Sequence, residues 1–330
     1  MIKIAFCDFY RNFDPKVFPI TKMILESYEV ELTDVKHADY VFFSVFGEDH
    51  WFVPDHCVKI FFTGENITPD FNACDYAIGF DWLDFGDRYL RYPLYYTYSH
   101  ETNYAMENKH KCDVTKELEI KKDFCSITVS NDDRNPIFKK LFERLSEYKK
   151  VDSGGKWMNN MGGRVKDKLA FDRTHKFSIV CENSASPGYT TEKIVQAYAA
   201  NCIPIYWGDP VISKVFNTKS FINVTDFESV DAVVDYVKQL DSDDNLYAAM
   251  MKEPALVSQE YSKDQQEQVL FQFLDNIFSQ SKNDSLRRNR IFWGKKYIDL
   301  RKLQVKRSNS FIYKTYWENL ARQVYYKIKK

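Results

Sequence analysis

Short apolar runs, rich in aromatic and β-branched residues, recur along this chain at helix-length intervals, and that rhythm restricts the fold more than any other feature. In the first hundred residues the runs are Lys3 to Phe9, Tyr40 to Phe46, Val58 to Thr63 and Tyr76 to Phe80. Buried-looking strands separated by helical segments predict a parallel sheet covered on both faces, in an α/β domain. From His100 to Asp123 the chain turns polar and charged and reads as a linker. A second series follows, with strands at Phe124 to Ser130, Phe177 to Cys181, Ile203 to Tyr206 and near Ser220 to Val224. Helices are expected at Phe138 to Tyr148, Thr191 to Ala200, after Asp209-Pro210 and at Ser229 to Leu240. Two consecutive α/β domains are predicted, with substrates meeting in a cleft between them.

The chain's 330 residues suffice for two cores, and 44% hydrophobic with 28% charged residues excludes global disorder. The first strand-like run starts at Ile2 with no basic leader and apolar segment ahead of it, and no apolar run approaches the ~20 residues of a membrane span. Seven cysteines at irregular spacing and six histidines without ligand spacing predict reduced, packed thiols and no metal centre, in the cytoplasm. Net charge is −1, but residues 281–330 carry 15 Lys or Arg against three acidic residues, or +12, leaving −13 on the rest. A cationic tail on an acidic body points to an anionic partner.

Residues Phe177-Ser178-Ile179-Val180-Cys181-Glu182-Asn183-Ser184-Ala185-Ser186-Pro187-Gly188-Tyr189-Thr190-Thr191-Glu192-Lys193 read as a strand, a Pro/Gly loop and a helix N-capped by Thr190. A helix N-terminus with Lys193 in its first turn suits a diphosphate. Glu192 would accept from a ribose diol, and Asn183 and Tyr189 would contact sugar or phosphate. The competing reading makes Glu192 a partner of the helix dipole and Lys193 a solvated surface residue.

The whole segment resembles the signature of the bacterial α-1,3-fucosyltransferases, glycosyltransferase family ten, which runs approximately F-x-x-x-F-E-N-S-x-x-x-x-Y-x-T-E-K. The match continues through Ala197-Tyr198, Ile203-Pro204-Ile205-Tyr206-Trp207-Gly208 and Lys219-Ser220-Phe221-Ile222-Asn223-Val224; Cys181 stands where many members have Phe. A second matching block comprises Phe61-Phe62-Thr63-Gly64-Glu65-Asn66, Asp75-Tyr76-Ala77-Ile78-Gly79-Phe80-Asp81 and Arg88-Tyr89-Leu90-Arg91-Tyr92-Pro93.

The resemblance implies a GT-B fold, two Rossmann-like domains facing a cleft: an acceptor-binding domain at 1–115, a GDP-fucose-binding domain at 116–280 and a basic helical tail at 281–330. It implies an inverting enzyme that moves fucose from GDP-fucose to O3 of N-acetylglucosamine in β-galactosyl-terminated acceptors, giving Lewis x-type glycans of lipopolysaccharide. Another acceptor position, another GDP-sugar and an inactive glycan-binding protein are the alternatives. Glu65 would be the general base, which an inverting transfer requires. Asn183, Tyr189, Glu192 and Lys193 would hold the donor. An arginine at the pyrophosphate is expected beyond Val129-Ser130-Asn131; Arg134 is the arginine of that loop, with Lys139 or Lys140 as substitutes. Phe62, Gly64, Gly154, Gly155 and Lys156 would line the cleft, the last two glycines offering backbone N–H groups to phosphate.

No cofactor or metal is expected, and Asp241-Ser242-Asp243, a D-x-D pattern, reads as a solvated turn. In the tail, Phe311-Ile312-Tyr313, Tyr316-Trp317, Leu320-Ala321, Val324-Tyr325 and Ile328 recur at helical spacing among cations. Such a helix would lie on anionic lipid or pack on the body with its basic face solvated; the resemblance implies the former, at the inner face of the cytoplasmic membrane. No nucleic-acid motif accompanies the charge.

Overall fold

The computed structural model describes residues 1–130, 136–310, 315–318, 320 and 321. They form two compact units, one of residues 1–78, 85–90 and 273 onward, the other of residues 79–84 and 91–272. This division differs from the sequence boundaries of 1–115, 116–280 and 281–330: residues 91–115 belong with the second unit, and the tail joins the first.

The first sheet contains β1 (Ile2–Cys7), β2 (Val30–Leu32), β3 (Tyr40–Phe43), β4 (Val58–Phe62), β5 (Tyr76–Gly79) and β6 (Tyr89–Arg91), in the order β2-β1-β3-β4-β5-β6. β1 pairs in parallel with both β2 and β3, and β3, β4 and β5 continue the parallel ladder. Helix α1 (Pro19–Ser27) connects β1 to β2 and starts on a proline, whose missing N–H is not needed there. Every residue of β3 and β4 is buried, as a central strand covered on both faces requires. Lys59 in β4 is included, its ammonium donating to the His50 carbonyl at 3.2 Å.

In the second unit α2 (Ser99–Asn103), a π-turn at Tyr104–Asn108 and α3 (Val114–Ile120) replace the expected linker. Thr102, Ala105, Met106 and Lys109 are all buried, at i, i+3, i+4, i+7 spacing, and two polar members of the stripe hid it from a hydrophobicity reading. The second sheet then follows. It contains β7 (Asp123–Ile127), β8 (Val151–Ser153), β9 (His175–Cys181), β10 (Ile203–Trp207) and β11 (Ile222–Asn223), in the order β11-β10-β9-β7-β8, all pairs parallel. Helices α4 (Pro136–Ser146), α5 (Lys168–Arg173), α6 (Lys193–Ala199), α7 (Val230–Ser242) and α8 (Asp244–Lys252) fill the intervals. The helix expected after Asp209-Pro210 is only a 3₁₀ turn at Ile212–Lys214. α4 shows the amphipathic pattern plainly, burying Phe138, Leu141, Phe142 and Leu145.

The chain returns to the first unit through α9 (Lys263–Ser279), α10 (Lys282–Ser285) and α11 (Phe292–Ser308). The return is fastened by Asp75, which is wholly buried and accepts from the N–H groups of Lys59 at 2.7 Å and of Arg287 and Arg288 at 2.9 Å. The Arg288 guanidinium, itself buried, closes an ion pair on the same carboxylate. Lys282 pairs with Asp39 and Arg287 with Asp87. Part of the tail's positive charge is therefore answered by acids of its own unit. Tyr316 and Trp317 are helical and exposed; Phe311 to Tyr313 and Val324 to Ile328 lie outside the described residues.

Lys109 closes the carboxyl end of α8, donating to the carbonyls of Met250 at 3.1 Å and Glu253 at 2.8 Å. Burial lowers its pKa to about 7, against about 10.4 in an unfolded chain. Between those values the folded state binds fewer protons, so stability rises with pH across that window and carries the full penalty below it. Urea unfolding at pH 7 and pH 9.5 is expected to show the wild type gaining stability with pH relative to Lys109→Met.

Candidate functional site

In the second sheet β7 leads through α4 to β8 on one side, whereas β9 lies on the other side of β7 and leads outward to β10 and β11. The order reverses between β7 and β9. At the carboxyl ends of two such strands the following loops diverge and leave a crevice, the usual ligand site of open α/β sheets. A cavity of about 170 Å³ lies there, walled by Thr128 to Ser130 beyond β7, by Ile179 to Cys181 and Asn183 at the end of β9, by Phe138 and Lys168, and by Lys193 opening α6. The Thr128 hydroxyl is buried in this wall without a hydrogen-bond partner among the described residues, a group a ligand would satisfy.

Glu182 sets the turn that aims Lys193. It is fully buried one residue past β9, and its carboxylate accepts from the Thr191 N–H at 2.8 Å, the Thr191 hydroxyl at 2.6 Å and the Lys193 ammonium at 2.9 Å. Gly208 is required beside it, because a Cβ there would stand 2.5 Å from the Glu182 Cγ. Burial disfavours the Lys193 charge, but Glu182 and, at 3.9 Å, Glu192 outweigh it and hold its pKa above the usual lysine range. The Lys193 side chain is thus partly buried and ion-paired.

Other expectations need correction. Thr190 is not the N-cap: α6 begins at Lys193 with Glu192 preceding it, and the Thr190 hydroxyl donates to Asp209 at 3.1 Å instead. Asp209 also accepts from the Gly188 N–H at 2.8 Å. Gly188 has φ +88°, and a Cβ would press to 2.4 Å from the Phe80 carbonyl, so only glycine fits this turn. Tyr189 is buried, its ring 5.1 Å from that of Phe80, and lies outside the cavity wall, as does half-buried Glu192. Among the described residues, Asn183 and Lys193 are the two expected donor residues that the fold brings to one wall.

Arg134 lies outside the described residues, while Lys139 is exposed and pairs with Glu143 at 3.7 Å. The Gly154 N–H is taken by the Ile127 carbonyl at 2.9 Å and is not a phosphate donor. Gly155 lies so close to β7's extension that a Cβ would fall 1.9 Å from the Val129 carbonyl; Lys156 beside it is exposed. In the first unit, Glu65 is exposed three residues past β4, its N–H donating to the Thr63 hydroxyl at 3.0 Å, with half-buried Gly64 beside it. Phe62 is buried with its ring 5.1 Å from that of Phe18.

Two family models match the chain in succession: the N-terminal domain of α-(1,3)-fucosyltransferase FucT over residues 4–98, and the C-terminal domain of glycosyltransferase family 10 (fucosyltransferase) over residues 94–281. The chain belongs to glycosyltransferase family 10. The α-(1,3)-fucosyltransferase FucT of Helicobacter pylori is 39% identical over 226 residues, 60% of this chain and 47% of that protein. The chain spans about half the length of the curated relatives it matches. A crystal structure of an α1,3-fucosyltransferase superposes with TM-score 0.76 at 31% identity, covering 88% of this chain and 93% of that one. A crystal structure of an α1,3-fucosyltransferase with GDP-fucose gives TM-score 0.71 at 31% identity, over 88% of this chain and 92% of the other. The α/β architecture with two parallel sheets is thus the GT-B fold of the family.

In this family 10 chain the D-x-D pattern has structural work. Asp241 is buried and paired with Lys149 at 2.5 Å and Lys176 at 3.3 Å, and Asp243 caps α8 by accepting from Asn245 and Leu246. It is a caged corner, not a solvated turn. Asp123, Asp152 and His175, from three strands, place ligand-type atoms within 4.8 Å of one another. They sit toward the amino ends of β7, β8 and β9, away from the cavity, and His175 is held by the Phe171 carbonyl at 2.8 Å and Asp152 at 3.2 Å.

Removing one member of a buried ion pair leaves the other charge unanswered, which costs about 3 kcal/mol. Glu182→Ala is accordingly expected to lower unfolding stability by about 2 to 3 kcal/mol in urea titration, Lys193 being partly exposed.

Proposed function

We propose that this family 10 chain is an inverting α-1,3-fucosyltransferase that joins fucose from GDP-fucose to O3 of N-acetylglucosamine in β-galactosyl-terminated acceptors, giving a Lewis x-type glycan. The observation that carries this reading is the cavity at the β7/β9 reversal, where Asn183, the Thr128 hydroxyl, without a partner among the described residues, and the ion-paired Lys193 ammonium converge. Crystal structures of α1,3-fucosyltransferases of 31% identity with GDP-fucose and with GDP support a GDP-sugar as the occupant.

In the proposed reaction the acceptor O3 loses its proton to Glu65 while its lone pair forms the bond to fucose C1. The bond from C1 to the β-phosphate oxygen breaks at the same time, and GDP leaves with that electron pair. Charge grows on the departing diphosphate. Glu182 and Thr191 use two of the three donors of the Lys193 ammonium, at 2.9 and 2.6 Å, and so hold it in place before the charge develops. Hydrogen bonding of the Glu65 N–H to Thr63, and of the Ile67 N–H to the Glu65 carbonyl at 2.8 Å, fixes the turn that carries the base.

The test is incubation of the chain with GDP-fucose and N-acetyllactosamine in chelator. A fucosylated trisaccharide is expected; no product with any fucose acceptor would overturn the proposal, and a requirement for Mn²⁺ would overturn the metal-free chemistry. Glu65→Gln should lower kcat at least ~10²-fold while GDP-fucose still binds, as loss of a general base demands.

A further inference from the structure

The first sheet has its own reversal. β1 leads through α1 to β2 on one side, and β3 lies on the other side of β1, so the loops after β1 and β3 diverge at their carboxyl ends. By the rule that located the cavity in the second unit, this is where a ligand of the first unit would sit.

Two rings stand there. Tyr10, three residues past β1, and Phe46, three past β3, are 54% and 53% exposed, although each is a large aromatic residue that solvent disfavours. Their rings meet edge to face, 6.3 Å apart at 87°, and Tyr10 also packs on Phe13 at 5.5 Å. The contacts run inward through Phe13 and Phe18 at 5.5 Å and Phe18 and Phe62 at 5.1 Å, ending on the strand that leads to Glu65. The loops after β1 and β4 are two strand spacings apart, about 10 Å.

The backbone beneath the pair is held as a functional surface would be. Asp8 adopts φ +58°, unusual without glycine, and its nearly buried carboxylate ties the two loops together. It accepts from the Asp49 N–H at 2.9 Å, the His50 N–H at 2.8 Å and the His50 ring at 2.6 Å. The Phe46 N–H donates to the Asp8 carbonyl at 2.9 Å, and Gly47 is fitted so closely that a Cβ would meet the Asp8 carboxylate at 2.4 Å. Arg11, Asn12 and Glu48 are exposed around the rings and supply polar groups.

A rigid aromatic platform with a polar rim suits a ligand with one apolar C–H face and a hydroxyl edge, which is the chemistry of a neutral pyranose. We infer that Tyr10 and Phe46 form the acceptor subsite, stacking on a sugar ring of the glycan whose hydroxyl is to react, with Asp8 as the residue that positions them. This deepens the proposed function and rests on it for the identity of the glycan.

The experiment compares wild type with Tyr10→Ala, Phe46→Ala, the double variant and Tyr10→Phe. Kinetics are measured against N-acetyllactosamine and GDP-fucose separately, together with hydrolysis of GDP-fucose without acceptor and saturation-transfer NMR of N-acetyllactosamine. Each alanine variant should raise the acceptor KM about tenfold. The donor KM, the hydrolysis rate and the thermal midpoint should stay unchanged, and Tyr10→Phe should behave as wild type because stacking needs the ring. An acceptor KM unchanged in the double variant overturns the inference, as does a joint loss of donor binding and thermal stability, which would make the rings structural. If the wild type transfers no fucose but the alanine variants lose saturation transfer from the glycan, the subsite stands and the proposed reaction falls.

Discussion

A parallel sheet covered by helices on both faces has no open surface on which chemistry can occur. Its strand interiors are buried, as β3 and β4 are throughout, and its backbone is saturated by the ladder. Polar side chains are affordable only where the strands end and the chain turns. The candidate groups of the proposed reaction obey that restriction in both sheets. Thr128, Asn183 and Lys193 lie at carboxyl ends or the turns after them in one sheet, and Glu65, Tyr10 and Phe46 do so in the other. The reversal of strand order in each sheet then selects which ends diverge enough to admit a ligand.

Turns that carry chemistry must also be stiff, and two buried carboxylates provide this. Glu182 gathers a backbone N–H, a hydroxyl and an ammonium, which fixes Lys193 against the cavity with its charge retained. Asp8 does the corresponding work in the first unit, joining the loops after β1 and β3. Burial by itself would raise the Asp8 pKa, yet the hydrogen bonds from His50 and Asp49 hold it below the usual carboxylate range. In both places a close glycine, Gly208 or Gly47, makes room for the carboxylate.

Most strands were legible because buried parallel strands are apolar on both faces, and β3, β4, β9 and β10 fall within a few residues of their expected bounds. The helical run from Ser99 to Ile120 was not, because its buried stripe includes Thr102 and Lys109, whose polarity is met by the Tyr95 carbonyl and, far along the chain, by the Met250 and Glu253 carbonyls. The candidate site shows the same split. Lys193 and Asn183 were legible from a motif, and the comparisons establish the family that motif suggests. Glu182 stood inside the same motif, but its role depends on burial that no residue pattern announces. Tyr189 and Phe62 read as ligand contacts by position, and the structure shows both buried with their rings against other aromatic side chains, a packing that no residue pattern announces.

By itself the sequence determined the fold class, the family and the identities of the polar residues at two strand ends, since periodicity and motif are properties of neighbouring residues. Only the tertiary structure decided which of them share a wall. It also decided that the tail's charge is partly consumed by Asp75, Asp39 and Asp87, and that Tyr10 and Phe46, 36 positions apart, form one surface. Those outcomes depend on strand order, and strand order is set by which loops cross which strands, a relation between distant segments that local sequence does not encode.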